Sequence, residues 1–234
     1  MNIIILAGGL GTRLHPITKD KYPKCMVEVN NGKPFLYYLL KKLVEENSID
    51  SFILSIGHRK EHITDYFGND FYGVPIYYCT EVKPLGTGGA IKFALESIYS
   101  KNYPVIVLNG DTFTTIDLNK MMILHKEKKA LVTVAVKFIG DVSKSGHVIF
   151  DKNKKMIEYI EKGNQIPGYI NAGAYVIDEV IKSELPDEGS FEKDFLQKSA
   201  AGVYVFDKVY DFIDIGIPKD YKGFTNIIKA KENK

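Results

Sequence analysis

Cysteine is scarce in this chain: Cys25 and Cys79 are the only two among 234 residues. Their spacing makes neither a metal site nor a disulfide framework, so both read as reduced residues of the core or a loop. No apolar run is long enough to cross a bilayer, and the opening one lacks the length and basic flank of a signal peptide. The expected compartment is therefore cytoplasmic, with no membrane partner. A surplus of one charge is missing too. The 31 basic and 29 acidic residues leave a net charge of +2, and no basic run stands out before the tail Lys229 to Lys234. That excludes a dedicated nucleic-acid surface, and the tail itself reads as a frayed, solvated helix end. Internal repeats, low-complexity linkers and a C-terminal hexapeptide array are absent. What is present is an ordinary globular composition, 45% hydrophobic and 26% charged, in a length that suits one α/β domain.

The chain opens with Ile3-Ile4-Ile5-Leu6, a buried central strand of a parallel sheet by its β-branched content. It breaks at once into Ala7-Gly8-Gly9-Leu10-Gly11-Thr12-Arg13-Leu14, and a basic stretch then ends in Pro23-Lys24. Glycines there admit positive φ and bring backbone N–H groups close to a ligand, as a phosphate cradle needs. Arg13 and Lys24 add fixed cations suited to a polyphosphate. A P-loop is excluded, because no Gly-Lys-Ser/Thr follows. A dinucleotide turn is matched only in part, since Leu14 stands at its third glycine.

Farther along, the spacing predicts a helix from Phe35 to Asn47, a buried strand at Phe52 to Ile56, and a short helix from Lys60 to Phe67 with Ile63, Tyr66 and Phe67 on one face. His58 and His62 lack a third ligand and read as solvent-facing. Val74 to Cys79 is a strand near a sheet edge, given Pro75. A second glycine-rich turn, Pro84-Leu85-Gly86-Thr87-Gly88-Gly89, precedes a helix from Ala90 to Tyr99, with Thr87 placed to cap it. Val105 to Leu108 is the next buried strand and delivers Asp111 to its C-terminal end, where α/β folds place ligand chemistry. Phe113 occupies the position of a phosphatase's second aspartate. Asp117 caps a helix from Leu118 to Lys129, and Ala130 to Phe138 is a strand. Beyond it the texture changes to short strands and turns: a hairpin of Gly146 to Phe150 with Met156 to Ile160, and a strand at Tyr169 to Ile177. A helix at Ser190 to Ala200 and a strand at Gly202 to Phe206 lead to Asp214-Ile215-Gly216-Ile217-Pro218 and a last helix.

Gly-Gly-x-Gly-Thr-Arg-Leu with Pro-Lys resembles the signature of the sugar-1-phosphate nucleotidyltransferases, the nucleotide-sugar pyrophosphorylases, and the likeness covers essentially the full length. It implies a three-layer, Rossmann-like α/β fold with a mixed, mostly parallel central sheet and a smaller sugar-binding β region. That is one domain over 1–234, with its nucleotide-binding part over about 1–138 and its sugar-binding part over about 139–234. The resemblance assigns nucleotide contacts to Leu6, Ala7, Gly8, Gly9, Gly11, Thr12, Arg13, Lys24, Glu81, Gly86, Thr87, Gly110 and Asp111. It gives Arg13, Lys24 and Asp111 catalytic roles, and Asp111 and Asp214 a shared Mg²⁺. Asn109, Gly146, Glu161, Lys162 and Asn171 fall at positions for the sugar phosphate. Gly163 stands where many relatives have Pro, which implies a different sugar-side loop.

The implied partners are a nucleoside triphosphate and a sugar 1-phosphate; a homo-oligomer is compatible. A sugar phosphate attacks the α-phosphorus, pyrophosphate leaves, and no general base is needed because a phosphate monoester is already nucleophilic at neutral pH. The short length and the Leu-Gly-Thr-Gly-Gly-Ala loop resemble most the heptose 1-phosphate guanylyltransferase branch; mannose, glucose and muramate branches share much of the pattern. Two rivals stay in view. A dinucleotide-dependent oxidoreductase calls for an acidic residue after the second strand, where Gly57-His58-Arg59 stands. A non-catalytic nucleotide sensor would lack the metal carboxylates.

Overall fold

The computed structural model describes residues 1–97, 103–143, 145–161 and 165–232. The strands are β1 (Asn2–Leu6), β2 (Glu28–Asn30), β3 (Lys33–Pro34), β4 (Ser51–Ile56), β5 (Asp70–Phe71), β6 (Val74–Thr80) and β7 (Val105–Asn109). They continue as β8 (Thr112–Ile116), β9 (Val132–Ile139), β10 (His147–Phe150), β11 (Met156–Ile160), β12 (Gly168–Ile177), β13 (Val203–Phe206) and β14 (Val209–Asp214). The helices are α1 (His15–Thr18), α2 (Phe35–Glu46), α3 (Glu61–Phe67), α4 (Gly86–Ser97), α5 (Leu118–Lys128) and α6 (Pro218–Glu232).

Ten strands form one sheet in the order β11-β10-β12-β7-β1-β4-β6-β5, with β9 paired to β12 and β13 to β9. The centre, β7-β1-β4-β6, is parallel; β12 then joins β7 antiparallel. Pleat alternation splits the buried residues of β1 between two layers. Ile3 and Ile5 pack with Leu36 and Leu40 of α2, whereas Ile4 faces Ile91 and Ala94 of α4. All three isoleucines are fully buried, and each contributes about 1.5–3 kcal/mol relative to an exposed side chain. The fold is the expected three-layer α/β sheet of mixed, mostly parallel strands. No helix of the described residues is long and apolar enough to cross a membrane.

Several expectations need correction. Helix α4 begins at Gly86 rather than Ala90, so Thr87 lies inside its first turn and does not cap it. Gly88 and Gly89 are buried there because the segment 186–191 crosses them closely; the end of the expected helix, residues 98 and 99, lies outside the described residues. The helix expected over Ser190 to Ala200 is one wide turn of π type, Phe191–Leu196, capped by Ser190. Tyr66 is 44% exposed while Ile63 and Phe67 are buried, because a seven-residue helix at the sheet margin covers only a narrow stripe. The C-terminal helix is tied down through Glu232, which accepts hydrogen bonds from Asn30 Nδ2 (2.6 Å) and Tyr38 Oη (3.2 Å). The antiparallel ribbon of β8 and β14 has no counterpart in the periodicity of Thr112 to Ile116, which is too short to declare itself.

Candidate active site

Strands β1 and β7 run side by side and end together, with Leu6 opposite Asn109. The glycine-rich stretch leaves the sheet at this point. Gly110 N–H donates to Leu6 O (2.9 Å) and Ala7 N–H to Ser55 O (2.8 Å), which anchors the loop at both sides. A cavity of about 230 Å³ opens above, walled by Leu6, Gly8, Gly9, Glu81, Gly86 and Thr87, with Asn109 and Asp111 at its far side. A second pocket of about 70 Å³ shares Leu6, Gly9 and Asp111 and adds Ala7, Gly11, Lys24 and Gly110. Gly11 has φ +63°, and a Cβ there would lie 2.8 Å from that of Lys24; only glycine lets the loop fold over the lysine. Thr12 and Arg13 follow, exposed, in a 3₁₀ turn. Glu81 is fully engaged: Oε1 accepts from Ser55 Oγ (3.0 Å) and Oε2 from Leu85 N–H (3.0 Å). It therefore braces the cavity wall from beneath Gly8.

The two distant aspartates meet. The β8–β14 ribbon sets Asp214 opposite Thr112, next in sequence to Asp111, and Ile215 N–H donates to Asp111 O (3.0 Å). Lys24 sits between the acids, ion-paired to Asp111 and 3.9 Å from Asp214 Oδ1. The Arg13 guanidinium lies over Gly216 beside Asp214. Burial first, and then the charge of Asp111, hold the Asp214 carboxyl above the usual carboxylate range; Lys24 pulls against both. Burial, with a further push from Asp111, raises the Cys25 thiol to about 12, so this pocket-lining cysteine stays a thiol.

On the opposite bank, β12 carries a bulge between Asn171 and Tyr175, where Gly173 adopts φ +67°. Residues after the bulge pair with β7, while Ile170 before it pairs with His147 of β10. The sheet thus parts beside Asn109. Asn109 Oδ1 is buried with no hydrogen-bond partner among the described residues, an acceptor left for something else to satisfy. Gly146 O accepts from Asn171 N–H (3.0 Å), and the Tyr159 hydroxyl occupies the space where a Gly146 Cβ would stand. Glu161 lies 3.4 Å from Lys193 Nζ. Lys162, with Gly163 and Asn164, is outside the described residues.

Sequence reasoning missed Glu192. Its Oε1 accepts from Tyr175 Oη (3.0 Å); its Oε2 accepts from Thr87 Oγ1 (2.7 Å) and Ser190 Oγ (2.9 Å). Ser190-Phe191-Glu192 signals only a helix start in sequence, and nothing local shows the carboxylate reaching back to α4. His58 and His62 are solvent-edge residues, as expected: His58 pairs with Asp20 (3.2 Å) and His62 meets the edge of Tyr22.

The nucleotidyl transferase family model matches residues 2–230, and the chain belongs to that family. It is 41% identical over 226 residues to a D-glycero-α-D-manno-heptose 1-phosphate guanylyltransferase from Aneurinibacillus thermoaerophilus, covering 95% of this chain and 96% of that one. A protein of the same name from Campylobacter jejuni is 40% identical over 230 residues, covering 96% and 98%. Among solved structures, HddC from Yersinia pseudotuberculosis superposes with a TM-score of 0.84 at 36% identity, covering 97% of this chain and 99% of that one. The same protein complexed with GMP-PN gives 0.83.

Proposed function

We propose that this enzyme joins GTP and D-glycero-α-D-manno-heptose 1-phosphate to give GDP-heptose and pyrophosphate, a building block for surface polysaccharide. The observation that carries the reading is the convergence of Asp111, Asp214, Lys24 and Arg13, with Asp111 lining both cavities. Near-full-length identity to proteins named for that reaction supports the sugar and the base.

In this reading the backbone of Gly8, Gly9, Gly11 and Thr12, with Arg13, holds the triphosphate. The base and ribose lie along Leu6, Ala7, Gly86, Thr87 and Gly110, on a wall stiffened by Glu81. Asn109, Gly146, Glu161, Asn171 and Lys162 take the sugar phosphate, and a sugar hydroxyl satisfies Asn109 Oδ1. Lys24 holds the α-phosphate and the incoming phosphate together. One phosphate oxygen of the sugar forms a bond to the α-phosphorus as the bond to pyrophosphate breaks, in line. Positioning and charge neutralisation supply the catalysis.

Asp111 and Asp214 suit Mg²⁺, being hard oxygen donors set close together, one of them held above the usual carboxylate range by burial and then by the other's charge. Among the described residues no group of three or more His, Cys, Asp or Glu side chains could hold a metal, so phosphate oxygens and water would complete the shell. When bound, the ion neutralises charge as two anions meet. The expected compartment is the cytoplasm.

The test is pyrophosphate release over a panel of nucleoside triphosphates and sugar 1-phosphates, with and without Mg²⁺. Release with GTP and the heptose phosphate, dependent on Mg²⁺, is the expected result. Reduction of NAD without pyrophosphate would mark an oxidoreductase, and nucleotide binding without turnover would mark a sensor.

A further inference from the structure

Glu192 is the only described carboxylate hydrogen-bonded both to the first turn of α4 and to β12. The first turn of α4 lines the larger cavity through Gly86 and Thr87, and Glu192 touches none of Asp111, Asp214 and Lys24. No cation pairs with Glu192 among the described residues; hydroxyl groups alone satisfy it. A carboxylate offers only acceptors, so each hydroxyl must turn its proton toward Glu192. That single fact orders the whole chain of hydrogen bonds behind it.

On the sugar side, Tyr175 spends its proton on Glu192, and its oxygen is then free only to accept. It accepts from Asn171 Nδ2 (2.7 Å). Tyr175 is fully buried, and burial followed by the charge of Glu192 keeps its hydroxyl far above the ordinary tyrosine value. It stays a donor at every working pH. The Asn171 amide is then fixed in one orientation: nitrogen toward Tyr175, and Oδ1 toward the Gly173 N–H (3.0 Å), inside the bulge. The Tyr159 hydroxyl packs against Gly146, whose carbonyl accepts the Asn171 backbone N–H (3.0 Å). On the nucleotide side, Thr87 likewise donates to Glu192, and its oxygen accepts the Phe191 N–H (2.8 Å). This ties the start of α4 to the segment that crosses it.

We infer that Glu192 is a positioning residue that, through Tyr175, holds the Asn171 amide in place at the β12 bulge, and so governs capture of the sugar 1-phosphate rather than of the nucleotide. The inference rests on the proposed reaction. It adds a residue that touches neither substrate and acts through Tyr175.

The isosteric substitution Glu192→Gln is the test. An amide in that place has one acceptor where the carboxylate has two, so Tyr175 or Thr87 loses its acceptor. Where Tyr175 loses it, the support of Asn171 Nδ2 goes while the Gly173 N–H still holds Asn171 Oδ1. KM for the sugar 1-phosphate should rise about tenfold or more, the scale of a buried hydrogen-bonding group left unsatisfied. KM for the triphosphate and the affinity for a non-hydrolysable GTP analogue, read by calorimetry, should move less than about threefold. Tyr175→Phe should reproduce the sugar-side loss. The double variant should be no worse than the poorer single variant, because both substitutions break one chain. Thermal unfolding of each variant is measured alongside, so that a fold lost outright shows as a vanished transition. Retained turnover with unchanged sugar KM in Glu192→Gln overturns the inference. Additive losses in the double variant, or equal losses for both substrates, overturn it too. A wild-type protein that releases no pyrophosphate overturns the proposed reaction itself, and the two failures are told apart by that control.

Discussion

On the side proposed to take the nucleotide, parallel strands β1 and β7 end in short glycine loops, and glycines line much of the cavity. On the side proposed to take the sugar, antiparallel β12 breaks its own register at a bulge, and the side chains of Asn171, Tyr175 and Glu192 are hydrogen-bonded in series. The first bank is made of conformation and the second of hydrogen-bond direction. A backbone cradle suits phosphate, which every triphosphate presents alike. A side-chain network suits a sugar, whose identity lies in where its hydroxyls point. The acid pair joins the banks, since Asp111 comes from the end of β7 and Asp214 from the ribbon that leaves the antiparallel region.

The sharpest way to break this comparison is at the join. Lys24→Ala or Asp111→Asn should lower kcat/KM by about 10²–10³-fold, the scale for a single preorganised electrostatic group. Steady-state pyrophosphate release checks it, and near-normal turnover in both variants contradicts the assignment.

Away from the cleft, His125 tests whether the α5 layer behaves as dry core. It is buried, with Nδ1 3.0 Å from Thr133 Oγ1 and Nε2 without a partner among the described residues. Burial depresses it to about 4. The folded state therefore releases a proton that the unfolded chain keeps at mildly acidic pH. Stability is full above the ordinary histidine value and falls as pH drops toward about 4; the loss should total about 3 kcal/mol. Denaturant unfolding between neutral pH and pH 4 measures it, and His125→Leu should flatten the curve. A wild-type curve already flat there removes the argument.

The glycines of the first loop and of α4 differ within one bank. Gly89 meets the carbonyl of Asp187 at 2.5 Å from an added Cβ, whereas Gly9 has open space around it. Gly89→Ala should cost about 1–3 kcal/mol in unfolding free energy through overpacking. Gly9→Ala should leave the unfolding midpoint nearly unchanged and weaken GTP binding, because the new methyl group occupies the cavity. Equal stability losses in both would mean that the first loop is structural packing as well.

The smallest effect concerns Asp214. Its raised carboxyl means that the folded protein favours the protonated form, so its ionised form weakens the fold as pH rises through its titration. Asp214→Asn keeps an acceptor for the Gly216 N–H (2.7 Å). Without added metal it should raise the unfolding midpoint slightly while abolishing most activity. A lowered midpoint would show that its pairing with Lys24 outweighs its burial.

Much of the parallel half of the sheet and the loop that leaves it was legible in sequence, because a fully buried strand and a glycine loop are local patterns. Ile3 to Leu6, Phe52 to Ile56 and Val105 to Leu108 declare themselves by β-branched content alone. Asp111 was legible by its place after such a strand. Gly86 to Gly89 misled, because glycines that admit a crossing segment look the same in sequence as glycines of a loop. Glu192 was invisible for a physical reason: its partners Thr87 and Tyr175 lie 105 and 17 residues away, and nothing short-range encodes a long-range hydrogen bond.

The central claim is that Asp111 and Asp214, set apart in sequence, act as one unit. A double-mutant cycle with Asp111→Asn and Asp214→Asn, read as kcat/KM at saturating Mg²⁺, tests it most directly. The expected result is strong non-additivity, with the double variant no slower than the worse single one. Losses that simply multiply would mean that the two carboxylates work separately, and the shared site described here would not stand.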